Sequence, residues 1–119
     1  MAENALSTVL PTLNAEQGGV ISENVLFKHD DGTPIDLSLG RAEFRICPYG
    51  QWDNTVLKKE GIISVSDKSL ATFNFASEDT INLAAMVYEY MPIAVYDNNG
   101  KPQNYMRGRG ILNLSPMIK

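Results

Sequence analysis

The stretch 88–116 constrains this chain more than any other. Two β-rich runs, 88–96 and 105–114, flank Asp97-Asn98-Asn99-Gly100. Asn and Gly supply the positive φ that tight hairpin turns require, so Asn-Gly between apolar runs predicts one long β-hairpin. Both arms are rich in Tyr, Val, Ile and Leu, which suit a pleated, half-buried surface. In the first arm Tyr88 and Tyr90 share one parity and Ile93 and Val95 the other, with Pro92 at the change. A β-bulge at Pro92 would bring all four onto one face, and bulges are where strands admit proline. In the second arm Gly108, Gly110, Leu112 and Leu114 share a face.

The rest of the chain reads as shorter strands. The run 42–48 alternates cleanly, with Ala42, Phe44 and Ile46 facing one way and Glu43, Arg45 and Cys47 the other, as a half-buried strand does. Segments 21–29, 35–37, 62–65 and 70–75 also read as strands. In these, Ile21, Val25 and Phe27 share one face, and Ala71, Phe73 and Phe75 another. Ser77-Glu78-Asp79-Thr80 reads as a helix start with a serine cap and acids in the first turn, reaching at most to Ala85. About seven strands punctuated by turns, with one short helix, predict an all-β, immunoglobulin-like antiparallel β-sandwich, without the Cys…Trp…Cys core of antibody domains.

At 119 residues the chain is expected to be one domain, 20–119, preceded by a polar arm, 1–19, that either frays or orders against a neighbouring subunit. Its 44% apolar and 20% charged composition is that of an ordinary globular protein. A net charge of −4 argues against nucleic-acid binding, which calls for a basic stripe. No apolar run approaches the ~20 residues of a membrane span. Residues 1–19 lack the basic start and apolar stretch of a secretory signal. The single cysteine, Cys47, cannot form an intrachain disulfide and fits a reducing compartment.

No catalytic constellation can be assembled. His29 is the sole histidine, so no metal set forms around it, and it reads as a surface residue at a strand end. Cys47 reads as a packed or semi-exposed thiol and not as a nucleophile. Asp30, Asp31, Asp36 and Asp97 could approach a calcium ion, but 97–100 lacks the ligand alternation of a calcium loop and reads as a plain turn. Gly108-Arg109-Gly110 has neither the lysine nor the helix of a phosphate loop. Lys58, Lys59 and Lys68 read as a solvated face. Neither a metal nor a cofactor is expected. Contacts with partners are expected instead, from Leu6, Val9, Leu10 and Leu13 on the arm, from Tyr49 and Trp52 on the loop after the alternating strand, and from Met106, Arg107 and Arg109 at a strand edge. The alternative is a carbohydrate-binding module that stacks sugars on Tyr49 and Trp52.

Three segments carry a resemblance. Gly32-Thr33-Pro34-Ile35-Asp36-Leu37-Ser38 leads into Ala42-Glu43-Phe44-Arg45-Ile46. Tyr88-Glu89-Tyr90 follows the brief helix, and Arg109-Gly110-Ile111-Leu112-Asn113-Leu114-Ser115-Pro116 closes the chain. In order and spacing these resemble the N-terminal domain of phage baseplate upper proteins and related tail and fibre-base proteins. Met91-Pro92 departs from that pattern, which places an Asp directly after Tyr-x-Tyr. Longer members of that family continue into a fibre or receptor-binding region, so a small structural subunit is expected here. The resemblance implies a non-enzymatic virion component of a tail, baseplate, neck or head fibre. It would be made in the host cytoplasm and would contact other virion proteins in several copies around a symmetric assembly.

Overall fold

The computed structural model describes residues 10–29, 31–38, 40–51, 53–98, 101–106 and 108–117. Residues 97, 98, 101–103 and 106 are described by their backbone alone. Among the described residues, nine strands and one helical turn follow in order: β1 (Leu13–Glu16), β2 (Ile21–Leu26), β3 (Arg41–Pro48), β4 (Leu57–Glu60), β5 (Ile62–Ile63), β6 (Leu70–Phe75), α1 (Ser77–Thr80), β7 (Val87–Asn98), β8 (Lys101–Met106) and β9 (Gly110–Ser115). They form two sheets. The larger has the order β1-β9-β7-β3-β4 with β8 also on β7, and the smaller has the order β2-β6-β5. With β2, β3, β4, β5, β6, β7 and β9 lettered B, C, C′, D, E, F and G, these are the B-E-D and G-F-C-C′ sheets of an immunoglobulin-like sandwich.

The hairpin organises the larger sheet. β7 runs twelve residues, and its return arm comes in two pieces. β8 pairs Ile93 with Met106, whereas β9 pairs Tyr90 with Gly110, so the return arm has one more residue than β7 between these two pairs. The extra residue lies in the return arm and not at Pro92, because β7 keeps unbroken register with β3 from Tyr88↔Pro48 to Val95↔Arg41. The expected bulge is therefore on the partner strand. Tyr49 donates its N–H to Val87 O at 3.2 Å, which turns the odd residues of β7 toward β3 and the even ones toward the return arm. The missing N–H of Pro92 thus faces the break between β8 and β9, where the ladder asks for no donor. Tyr88 and Tyr90 consequently share the inner face with Pro92 and Ala94, while Met91 and Ile93 are buried on the outer face.

Between the sheets, Phe44 stacks flat on Tyr90, with centroids 5.1 Å apart and planes 3° apart. It also meets Phe73 and Phe75 of the facing sheet at 5.2 and 5.1 Å. Ile46, Ala42, Ala71, Leu112 and Leu114 complete this layer, and Phe27, Ile35 and Leu37 close it at one end. Two glycines are required by close approach. A Cβ on Gly40 would lie 2.1 Å from Val95 O, and one on Gly110 would enter the Tyr90 ring. Tyr88 stands at the start of β7 and donates its hydroxyl to Ala84 O at 2.7 Å, the tyrosine corner found at the E–F turn of such sandwiches.

The N-terminal boundary expected at residue 19 does not separate an arm from the domain over the described residues. β1 lies parallel to β9, Leu13 against Leu112 through Glu16 against Ser115. Leu10 N–H donates to Arg109 O at 3.0 Å, and the Tyr90 hydroxyl donates to Pro11 O. The buried Thr80 hydroxyl accepts from Gly18 N–H and donates to Gly19 O, pinning the β1–β2 turn to α1. The polar side chains at 14 and 16 concealed this strand, since it shows only Leu13 and Ala15 to the core. β4 was hidden likewise by Lys58-Lys59-Glu60, and 35–37 forms no strand although Ile35 and Leu37 are buried. The helix is a single turn capped at Ala76, whose N–H donates to Asp79 at 2.7 Å, so Ser77 lies inside it and is not its cap.

Replacing Tyr88 by Phe should cost about 1 kcal/mol, the worth of one buried hydrogen bond. Thermal unfolding followed by circular dichroism should then show a midpoint roughly 4 °C lower. An unchanged midpoint would remove the corner from the account.

Candidate functional site

The larger sheet buries its inner face in the core and spreads a charged network over its outer one. Because β3 alternates, the side chains opposite Phe44 and Ile46 are Arg41, Glu43 and Arg45. Register sets Glu43 between Ile93 of β7 and Glu60 of β4, and Arg45 between Met91 and Lys58. Glu43 is only 4% exposed. It accepts from Arg41 Nε at 3.1 Å and from Arg45 Nη2 at 3.0 Å, with Lys58 Nζ at 4.0 Å. Burial pushes the Glu43 carboxyl up, but hydrogen bonds from Arg45 and Arg41, with the charges of Arg45 and Lys58, outweigh that and hold it below the usual glutamate range. Arg41, Arg45 and Lys58 against Glu43 and the neighbouring Glu60 leave this part of the face with one net positive charge on a protein that is acidic as a whole.

A second junction lies at the end of the same face. Glu89 of β7 accepts from Gly50 N–H at 2.9 Å and stands 3.7 Å from Arg109 Nη1. It therefore joins two of the expected contact regions, the loop after β3 and the break between β8 and β9. Tyr49, beside Gly50, is 61% exposed. Arg109 is partly exposed, with its carbonyl held by Leu10. Glu89 was not singled out from sequence; it stands directly opposite Cys47 on β7, a placement that only the sheet register gives.

The other expected residues separate. Leu10 and Leu13 are half-buried against the core, on the far side of the sheet from Tyr49. Leu6, Val9, Trp52 and Arg107 lie outside the described residues, as does the side chain of Met106. Cys47 is fully buried, and burial raises its thiol above the ordinary value, with Thr55 Oγ1 at 3.8 Å. His29 is partly buried, edge-on to Tyr96 and Tyr105 at 5.8 and 6.0 Å, and is not a plain surface residue. Asp31 and Asp36 serve their own turns, accepting from Thr33 and Ser38. Lys59 is bound to Asp79 at 2.9 Å, tying β4 to α1, and so is not part of a freely solvated face. Among the described residues no group of three or more acidic, His or Cys side chains could hold a metal ion. No described helix is long and apolar enough to cross a membrane.

Neither a family model nor a curated protein matches the sequence. Among solved structures, the fold is similar to the N-terminal domain of phage TP901-1 ORF48. The match has a TM-score of 0.54 and 6% identity, and covers 88% of this chain and 85% of that one. The two chains share a fold across nearly their whole lengths with almost no shared sequence.

Glu43→Gln should lower stability by about 1–2 kcal/mol at pH 7, since a buried charge-assisted set becomes a neutral one. A depressed folded pKa contributes stability that is present above the unfolded value and lost as the pH falls through the folded one. Urea unfolding should therefore show the gap between wild type and variant closing below the ordinary glutamate value of 4.5. A gap that stays constant down to pH 2 would contradict the arrangement.

Proposed function

We propose that this chain is a non-enzymatic structural component of a bacteriophage virion that acts through protein–protein contacts. The observation that carries the reading is the end-to-end fold match to a phage protein domain. The site geometry agrees with it, because the ion pairs of Glu43 and Glu89 lie across an open sheet face. On this reading the chain is made in the host cytoplasm and assembled in several copies onto other virion proteins, at a tail, baseplate, neck or head-fibre attachment. It takes no part in nucleic-acid or membrane binding. The corner formed by Tyr49, Glu89 and Arg109 is the contact we favour. An exposed tyrosine next to an arginine is a common anchor pair at interfaces, and the surrounding cations favour a carboxylate-bearing partner.

Mass spectrometry of gradient-purified particles, from a host carrying the gene in its phage setting, tests this. Peptides of the chain should appear in a fixed ratio to the major structural proteins. Tyr49→Ala combined with Arg109→Ala should reduce that ratio at least fivefold while the isolated variant stays folded. Recovery of the wild-type chain only in the soluble lysate would contradict the reading.

A further inference from the structure

In the lettering used above, the first strand of a constant-type sandwich lies beside strand B. Here β1 has gone to the other sheet, beside β9, and this leaves β2 as an edge. Phe27 N–H donates to Ser69 O at 2.8 Å, in register with the β2–β6 ladder, so the odd residues of β2 bond to β6. Ser22 and Asn24 therefore point their backbone N–H and C=O groups outward, with no partner among the described residues. Their side chains are held from the β6 side by Asn74 and Thr72.

Beside that edge the two sheets gape. A cavity of about 230 Å³ opens between β2 and the start of β1, walled by Leu10, Leu13, Val25, Phe44, Tyr90 and Pro92. One lining residue does not fit an apolar cavity. Glu23 sits in β2 between Ile21 and Val25, shares their inward parity, and is half-buried. Among the described residues no hydrogen bond or ion pair reaches its carboxylate. Its charge is felt inside: burial first, and then Glu23, push the Tyr90 hydroxyl up to about 12. A second opening further along the same gap, between Asn14–Glu16 and Ile21–Ser22, adds Glu16. Neither opening has a Lys, Arg or His among its described lining residues.

The geometry points to a socket for a lysine or arginine side chain carried on an extended segment of a partner polypeptide that adds as a strand to β2. The outward-pointing groups of Ser22 and Asn24 supply the backbone ladder. The apolar and aromatic wall takes the aliphatic stem, and Glu23 takes the charge. Charge selects the occupant. Residues 1–9, Met-Ala-Glu-Asn-Ala-Leu-Ser-Thr-Val, contain one acid and no basic side chain. The chain's own N-terminal segment, from the same or a second copy, therefore does not match the socket, whereas a basic strand does. This inference names a partner chemistry for the virion role proposed above, and rests on that role only for where the partner is found.

The test uses the full chain, ¹⁵N-labelled, titrated with the capped peptide Thr-Val-Lys-Val-Thr and with the same peptide carrying norleucine for lysine. The lysine peptide should shift the amides of Ser22, Glu23 and Asn24 and bind at least fivefold more tightly than the norleucine one. Glu23→Gln should abolish that preference and leave the norleucine affinity unchanged. Asn24→Pro removes one outward donor and the exposed Thr72 hydrogen bond but keeps the backbone ladder to β6, and should abolish binding of both peptides while the spectrum stays dispersed. Equal affinity for the two peptides, no binding of either at millimolar concentration, or contacts from Leu6 or Val9 to Val25 and Tyr90 in the free protein would each overturn the socket. Recovery of the chain in particles is measured separately, so failure here leaves the virion role standing.

Discussion

The face-to-face contact of Phe44 with Tyr90 is the interaction on which the rest of the sandwich depends. Phe44 lies at the centre of β3 and Tyr90 near the start of β7, so the stack ties the two longest strands of the larger sheet on the side that faces the smaller one. Phe73 and Phe75 meet the same ring from β6, one tilted and one edge-on. Antibody domains hold this place with an inter-sheet disulfide packed on a tryptophan. The lone cysteine here is on the other face of β3 and cannot contribute. Four aromatic side chains do the work instead, through buried area and offset ring contacts that are worth more than area alone.

Much of the local geometry follows from placing those rings. Tyr90 needs the space above Gly110, so β9 carries a glycine there. Its hydroxyl, buried by the stack, needs an acceptor, and Pro11 O provides one. That bond and the Leu10–Arg109 bond draw the start of the chain across to β9 and away from β2. That β2 has no strand beside it among the described residues, other than β6, is therefore a consequence of how the core hydroxyl is satisfied. A buried donor without a partner would be costly, whereas an exposed strand edge costs little in water and offers a template for another chain. On the opposite side, the regular alternation of β3 that buries Phe44 also sets Arg41, Glu43 and Arg45 side by side on the outer face.

The parts of the fold legible in the sequence were those with an unambiguous period. β3, β6, the hairpin and the sandwich class could be read because apolar residues alternate there or flank a clear turn. β1 and β4 could not: β1 shows only Leu13 and Ala15 to the core and β4 only Leu57, and the charged or amide residues beside them read as loop. The Pro92 bulge went to the wrong strand for a physical reason. Proline marks a missing donor, but the sequence does not say which neighbour goes without it, and here the neighbour yields. At the candidate site, Tyr49 and Arg109 were legible as an exposed aromatic and an edge cation. Their common partner Glu89 was not, because a contact 39 residues away in the chain depends on sheet register.

A double-mutant cycle on Phe44→Leu and Tyr90→Leu, read by urea unfolding, tests the central claim most directly. Rings that act as one stacked unit should show a coupling of about 1 kcal/mol, with the double variant losing less stability than the two single losses added together. Strict additivity, with each residue behaving as an independent apolar filler, would contradict the account.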